Sequence, residues 1–153
     1  MQKNINIRNR KARFEYELLD KYTAGIVLAG TEIKSLRDGH ASISESFCEF
    51  NDRDELFVIN MQIDEYSHAS HFNHRPKAER KLLLQRRELK KLAKEVRTSG
   101  LTIVPLSVFI TDRGLAKMQI ALAKGKKLYD KRDAIKDRDS KRNLDRIKKN
   151  FNN

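Results

Sequence analysis

Arg8-Asn-Arg-Lys-Ala-Arg13 sets four basic residues around one asparagine. Guanidinium and ammonium groups at that density suit phosphate oxygens, and Asn9 can offer both a donor and an acceptor to a base or ribose. The bland alternative for Arg8, Arg10, Lys11 and Arg13 is a solvated lead-in to a strand. A second cluster, Phe72-Asn-His-Arg-Pro76, places an aromatic ring, Asn73 and His74 in an irregular basic stretch. That combination suits stacking on unpaired bases. A third, Lys124-Gly-Lys-Lys-Leu-Tyr-Asp-Lys-Arg132, holds Tyr129 between Lys127 and Lys131.

Other chemistries are poorly served. His68, His71 and His74 recur at every third position, but they lack the helical context and orienting partners of a metal site, so no metal is expected. The carboxylates alternate with basic residues, and no nucleophile stands beside a base and an orienting group. No catalysis and no cofactor are expected. Cys48 is the single cysteine and reads as a small core residue. It permits no internal disulfide, which fits a reducing cytosol.

The chain has 153 residues, the size of one domain, and carries a net charge of +12. That excess points to nucleic acid first and an acidic membrane surface second. Trp is absent and aromatics are 7%, so a broad stacking platform is thinly supplied. The N-terminal residues have no continuous apolar stretch of the secretory kind. Ala24–Gly30, the longest small-apolar run, is far too short to span a bilayer. A cytoplasmic location with no membrane partner is the expectation. The charge is uneven: residues 124–153 hold 12 Lys and Arg against 5 Asp. The chain therefore divides into a mildly basic body, 1–124, and a strongly basic tail, 125–153.

The body must position these residues. Phe14–Leu18 alternates like a half-buried strand, and Ala24–Ala29 reads as a buried one. Thr31–Arg37 reads as a short helix ended by Asp38-Gly39. Ile43–Phe50 and Leu56–Ile63 form an expected hairpin, residues 64–79 a long loop, and Arg80–Thr98 a helix stopped at Ser99-Gly100. Thr102–Thr111 and Ala116–Ala123 complete a second hairpin, with Pro105 placing a bulge or an edge near its start. The fold class is thus mainly β with helices (α+β). It is an OB-like antiparallel β-barrel of about six strands with two or three packed helices.

In the tail, Leu144, Ile147 and Phe151 fall at helical spacing, a stripe too thin to dock firmly. A helix of this composition is marginal alone. The tail is expected to become helical when bound to a polyanion. From charge alone, a solvated tail that aids solubility is an equal alternative.

Four stretches then carry a likeness. They are Asn9–Arg13, Ala24–Arg37, Arg80–Arg87 and Gly125–Arg132, in family order. Together they resemble the small protein B family, the SsrA-RNA-binding proteins of trans-translation, over about residues 7–148. The resemblance implies a barrel that binds the tRNA-like domain of transfer-messenger RNA and stands in for its missing anticodon arm. It implies a tail lying in the decoding centre and empty mRNA channel of a stalled ribosome. It implies RNA contacts by Asn9, Arg10, Lys11, Arg13, Thr23, Lys34, Arg37, Phe72, Asn73, His74, Arg80, Lys81 and Leu83. Tail contacts to the ribosome fall to Lys124, Lys126, Lys127, Tyr129, Asp130, Lys131, Arg132, Lys136, Arg142 and Ile147. Elongation factor Tu and alanyl-tRNA synthetase are implied indirectly, through the RNA, and the chain is expected to be a monomer. Two departures stand out. Thr23 replaces an acidic residue that contacts the RNA in many relatives, and Arg37-Asp-Gly-His40 replaces the more usual Arg-Ala-Gly-Lys. Leu83 has two readings: core by pattern, or packed on a splayed base by resemblance. A structural ribosomal protein with a basic extension is the alternative, and a metal-dependent nuclease a more distant one.

Overall fold

The computed structural model describes residues 5–69 and 71–125. The body is built on an extended core of aliphatic side chains, among them Leu36, Leu56, Leu82, Ile103, Met118 and Ile120, all buried. The strands that supply it are β2 (Tyr16–Ile26), β4 (Phe47–Phe50), β5 (Leu56–Ile59), β7 (Arg80–Leu83), β8 (Thr102–Ile110) and β9 (Ala116–Gly125). Their antiparallel pairings run β8-β4-β5-β7-β2-β9 and return to β8, which gives a closed ring of six strands. The β4–β8 link is a single pair, Cys48 opposite Ile103, so the ring is OB-like and weakly joined at that seam. A short strand β1 (Asn6–Arg8) lies on the free edge of β8, and β3 (Ala41–Ser42) pairs with β6 (Gln62–Ile63) in a separate ribbon. Covering or pairing edges in this way removes templates for aggregation.

Three helices complete the described residues: α1 (Ala12–Glu15), α2 (Gly30–Arg37) and α3 (Arg86–Ser99). In α2 the Glu32 carboxylate accepts from the Ala29 N–H at 2.9 Å, satisfying one orphan donor of the first turn. In α3 Glu88 does the same for Gln85 at 3.1 Å. That helix ends at Gly100, whose φ of 62° is the left-handed stop that glycine takes without strain. Leu89, Leu92 and Val96 of α3 pack on the barrel core.

Several elements depart from the sequence expectation. Arg80–Leu83 is a strand, and the helix begins only at Arg86. The strand wins because β7 bridges β5 and β2, through Phe57 opposite Lys81 and Gly25 opposite Leu83. The two separate strands expected over residues 14–29 are one strand of 11 residues, with a register shift between Leu18 and Lys21, and Phe14 falls in the helical turn α1. The hairpin strands are shorter than expected. Residues 43–46 form a turn closed by the Ser46 hydroxyl on the Ile43 carbonyl at 2.6 Å, and Asn60, at φ 64°, separates β5 from β6. Pro105 does mark a bulge, since the β8–β9 register shifts between Pro105 and Ser107. Cys48 is a buried core residue, and burial pushes its thiol pKa upward. The expectations for Lys126 and beyond lie outside the described residues.

Candidate nucleic-acid interface

Strand alternation decides which side chains face out. Ala24 and Ile26 of β2 are buried, so Thr23 and Gly25 point away from the core. The same holds for Ser107 and Phe109 around buried Val108, and for Lys117 and Gln119 around buried Met118. Register then aligns these outward positions in two cross-strand rows. Arg8 lies opposite Ser107, Ser107 opposite Gln119, and Gln119 opposite Thr23. Asn6 lies opposite Phe109, Phe109 opposite Lys117, Lys117 opposite Gly25, and Gly25 opposite Leu83. Residues drawn from five strands thus share one outer face.

This face runs into a cleft of about 450 Å³ lined by Arg8, Asn9, Arg10, Arg13, Lys21 and Gln119, among others. Among the described residues no ion pair holds Arg8, Arg10, Lys21 or Lys117. Several cations elsewhere are tied: Lys91 to Asp20 at 3.5 Å, Lys81 to Glu55 at 2.5 Å, and Arg97 to Asp54. The tie on Lys81 holds the Glu55 carboxyl below its usual range. Asn9 stands at the inner wall of the cleft and is 8% exposed. Its Nδ2 donates to the Pro105 carbonyl at 2.9 Å, while its Oδ1 is buried with no partner. One amide hydrogen that the sequence reading offered to RNA is spent on the fold, and the oxygen is buried. Buried acceptors left open in this way call for an explanation.

A second cluster forms around residues 64–79 and α2. The Asn73 side chain accepts from the Tyr66 N–H at 3.1 Å and donates to the Tyr66 carbonyl at 3.0 Å. His74 Nε2 lies 2.9 Å from the Ile63 carbonyl and Nδ1 2.9 Å from the Thr31 hydroxyl. A carbonyl only accepts, so Nε2 carries a proton and donates it, while the Thr31 hydroxyl bonds the ring at Nδ1. Both residues therefore shape the loop with the polar atoms that were expected to meet RNA. What they hold out is Phe72, 88% exposed. Lys34 of α2 sits 5.6 Å from the centre of the Tyr66 ring, a cation–π contact, and Arg37 is exposed in the last turn of α2.

Arg80 requires a correction. It is 2% exposed and bonds the buried Glu32 carboxylate. It also donates to the carbonyls of Met61 at 2.6 Å and Pro76 at 3.0 Å. It has no surface to give to a phosphate. Lys11 is exposed but held by Glu45 at 2.6 Å, which raises its pKa and lowers that of Glu45. Leu82 is buried and Leu83 is 53% exposed, an alternation that follows from the strand and resolves the two readings of Leu83 in favour of the surface. Lys124 is exposed near the end of β9, opposite Glu17. Lys21, Lys117 and Gln119 were missed in the sequence. For Lys117 and Gln119 the alternation in Ala116-Lys-Met-Gln-Ile120 signals an outward direction, but not which residues stand beside them.

Residues 6–150 match the family model described as SmpB protein. The SsrA-binding protein of Christiangramia forsetii is 72% identical over 151 residues, covering 99% of this chain and 96% of that one. The SsrA-binding protein of Flavobacterium psychrophilum is 62% identical, covering 99% and 100%. Among solved structures, a chain of "tmRNA-SmpB: a journey to the center of the bacterial ribosome" superposes with a TM-score of 0.68 at 43% identity. That match covers 86% of this chain and 94% of the other. This chain belongs to the SmpB family of SsrA-binding proteins.

Proposed function

We propose that the chain binds the tRNA-like domain of transfer-messenger RNA and brings it to the A site of stalled ribosomes, where it stands in for the missing anticodon arm. The observation that carries this is the outer face itself. Arg8, Arg10, Lys21 and Lys117 share that face, and among the described residues none of them has an ion-pair partner. The phosphates of an RNA supply the missing counter-charge. High identity to SsrA-binding proteins supports the same reading. Phe72 is the aromatic contact of the loop, and Asn73, His74 and Arg80 act by shaping it. The factor works in the cytoplasm as a monomer, by positioning and not by catalysis. It meets elongation factor Tu and alanyl-tRNA synthetase only through the RNA.

The tail, 125–153, is the ribosome-reading element. A helix from Asp130 to Phe151 reaches about 33 Å at ~1.5 Å per residue, enough to run along an mRNA path. Lys126, Lys127, Lys131, Arg132, Lys136 and Arg142 then meet phosphates, and Tyr129 stacks on a decoding base at its root. Asp130 supports the first turn at the positive end of the helix dipole. The test is the triple change Tyr129→Ala, Lys131→Ala, Arg132→Ala in the full chain. RNA affinity should hold while tagging of stalled peptides on purified ribosomes is lost. Tagging that survives, or RNA affinity that falls with it, sinks this division of labour.

A further inference from the structure

We propose that the groove at the open seam of the barrel holds this chain's own tail, with Leu144, Ile147 and Phe151 as the residues it takes. The inference concerns the chain before it meets RNA or a ribosome, and it goes beyond the function proposed above.

The groove exists because the ring is not zipped along its whole length. β4 and β8 meet at one pair, Cys48 opposite Ile103. A continued antiparallel ladder would set Phe50 against Leu101, and there the two strands part. The result is a groove of about 600 Å³ whose apolar lining includes Phe47, Phe50, Val96 and Leu101, beside the buried Ile103. Phe47 is 39% exposed, and the other three are half-buried. An apolar groove beside an unzipped strand edge is a surface that a protein covers or that a partner fills.

Three observations name the tail as the occupant. The first is position. Thr102 in the groove wall pairs with Ala123 of β9, so Gly125 lies only about 7 Å further along that strand. A coil from Gly125 to Leu144 would span about 25 Å on average, ample to turn back. The second is pattern. Leu144, Ile147 and Phe151 share one face of a helix, the form in which an apolar stripe enters a groove. The third is charge. The rim carries exposed Glu49 and Asp52, and among the described residues neither is in an ion pair. Arg97, also in the groove, is tied to Asp54. The basic tail brings the missing cations. A net charge of +12 argues against a second copy, since like-charged chains repel.

A stripe of three residues binds weakly, and tethering compensates for that. A segment on a short tether works at an effective concentration on the order of 1 mM, so a contact with a Kd on the order of 1 mM is already about half formed. Such a latch parks the tail and releases it when a phosphate-lined surface takes its cations.

The test places a nitroxide on the full chain at Asn153→Cys. Cys48 is buried, so the label goes to residue 153. Paramagnetic broadening of backbone amides is then read in isotope-enriched protein. Amides of Phe47–Asp52 and Leu101–Ile103 should broaden, while those of the Thr111–Leu115 turn, beyond the far end of β8, should not. Adding Ile147→Asn and Phe151→Asn should cut the groove broadening at least twofold; both changes lie outside the barrel, so its folding is not at stake. Groove amides no broader than those of the turn overturn the proposal, as does broadening that the double change leaves intact. A mixture of spin-labelled chain with unlabelled, isotope-enriched chain tests the second copy. Equal groove broadening in that mixture assigns the groove to a neighbouring molecule and overturns the latch as well.

Discussion

Two basic regions of this chain treat their polar groups in opposite ways. Around residues 64–79, Asn73, His74, Arg80 and Glu32 spend their hydrogen bonds on backbone groups, on the Thr31 hydroxyl and, for Arg80 and Glu32, on each other. On the face of β1, β8, β9 and β2, Arg8, Arg10, Lys21 and Lys117 have no ion-pair partner among the described residues. Both regions carry basic residues that sequence alone ranks as RNA contacts. The difference lies in where the counter-charge sits. A buried guanidinium must bring its carboxylate with it, as Arg80 does, and then becomes a structural member. A guanidinium left at the surface keeps its reach for an external anion.

The strongest way to break this contrast is at Arg80. Arg80→Met leaves Glu32 charged and alone in the core, and stability should fall by about 3–5 kcal/mol. Denaturant midpoints measure it, and a change under 1 kcal/mol would mean that the pair is not the clamp described here. Phe72→Ala should do the reverse. The ring is almost wholly exposed, so melting should not move, while RNA affinity drops by about 1–3 kcal/mol if it stacks. Arg10→Ala should sharpen the comparison further. Its stability should stay within about 0.5 kcal/mol of wild type, and its salt slope should lose about one unit. Glu45→Gln carries the smallest effect. It frees Lys11 from its carboxylate, so binding should tighten slightly and the salt slope steepen by up to about one unit. No response would place Lys11 off the RNA path.

How much of this was legible in the residues depends on the range of the force involved. Helix α2 and the body of α3 follow from local spacing and stops, and so does the β8–β9 hairpin with its bulge near Pro105. The start of α3 was misread because Arg80-Lys-Leu-Leu-Leu84 continues an apolar pattern into Leu89 and Leu92 with no turn residue between. Only pairing with Phe57 and Gly25 makes it a strand, and those contacts are remote in sequence. The RNA contact that the resemblance implies for Arg80 fails for a related reason: its partner Glu32 lies 48 residues away. The basic cluster at Arg8–Arg13 was legible as a candidate. Its companions Lys21, Lys117 and Gln119 were not, since only barrel closure sets them beside it.

The last described strand has a mechanical consequence. β9 is paired along both edges, with β2 as far as Tyr16 opposite Gly125 and with β8 from Thr102 opposite Ala123. A pull on the chain beyond Gly125, directed along the strand, loads the bonds of both ladders together in shear. Unzipping, which breaks bonds singly, would need a sideways pull. The basic tail is thus tethered to the best-anchored strand of the barrel. Tension applied to it reaches the neighbouring strands β2 and β8, which carry the outer face, without first peeling the fold apart.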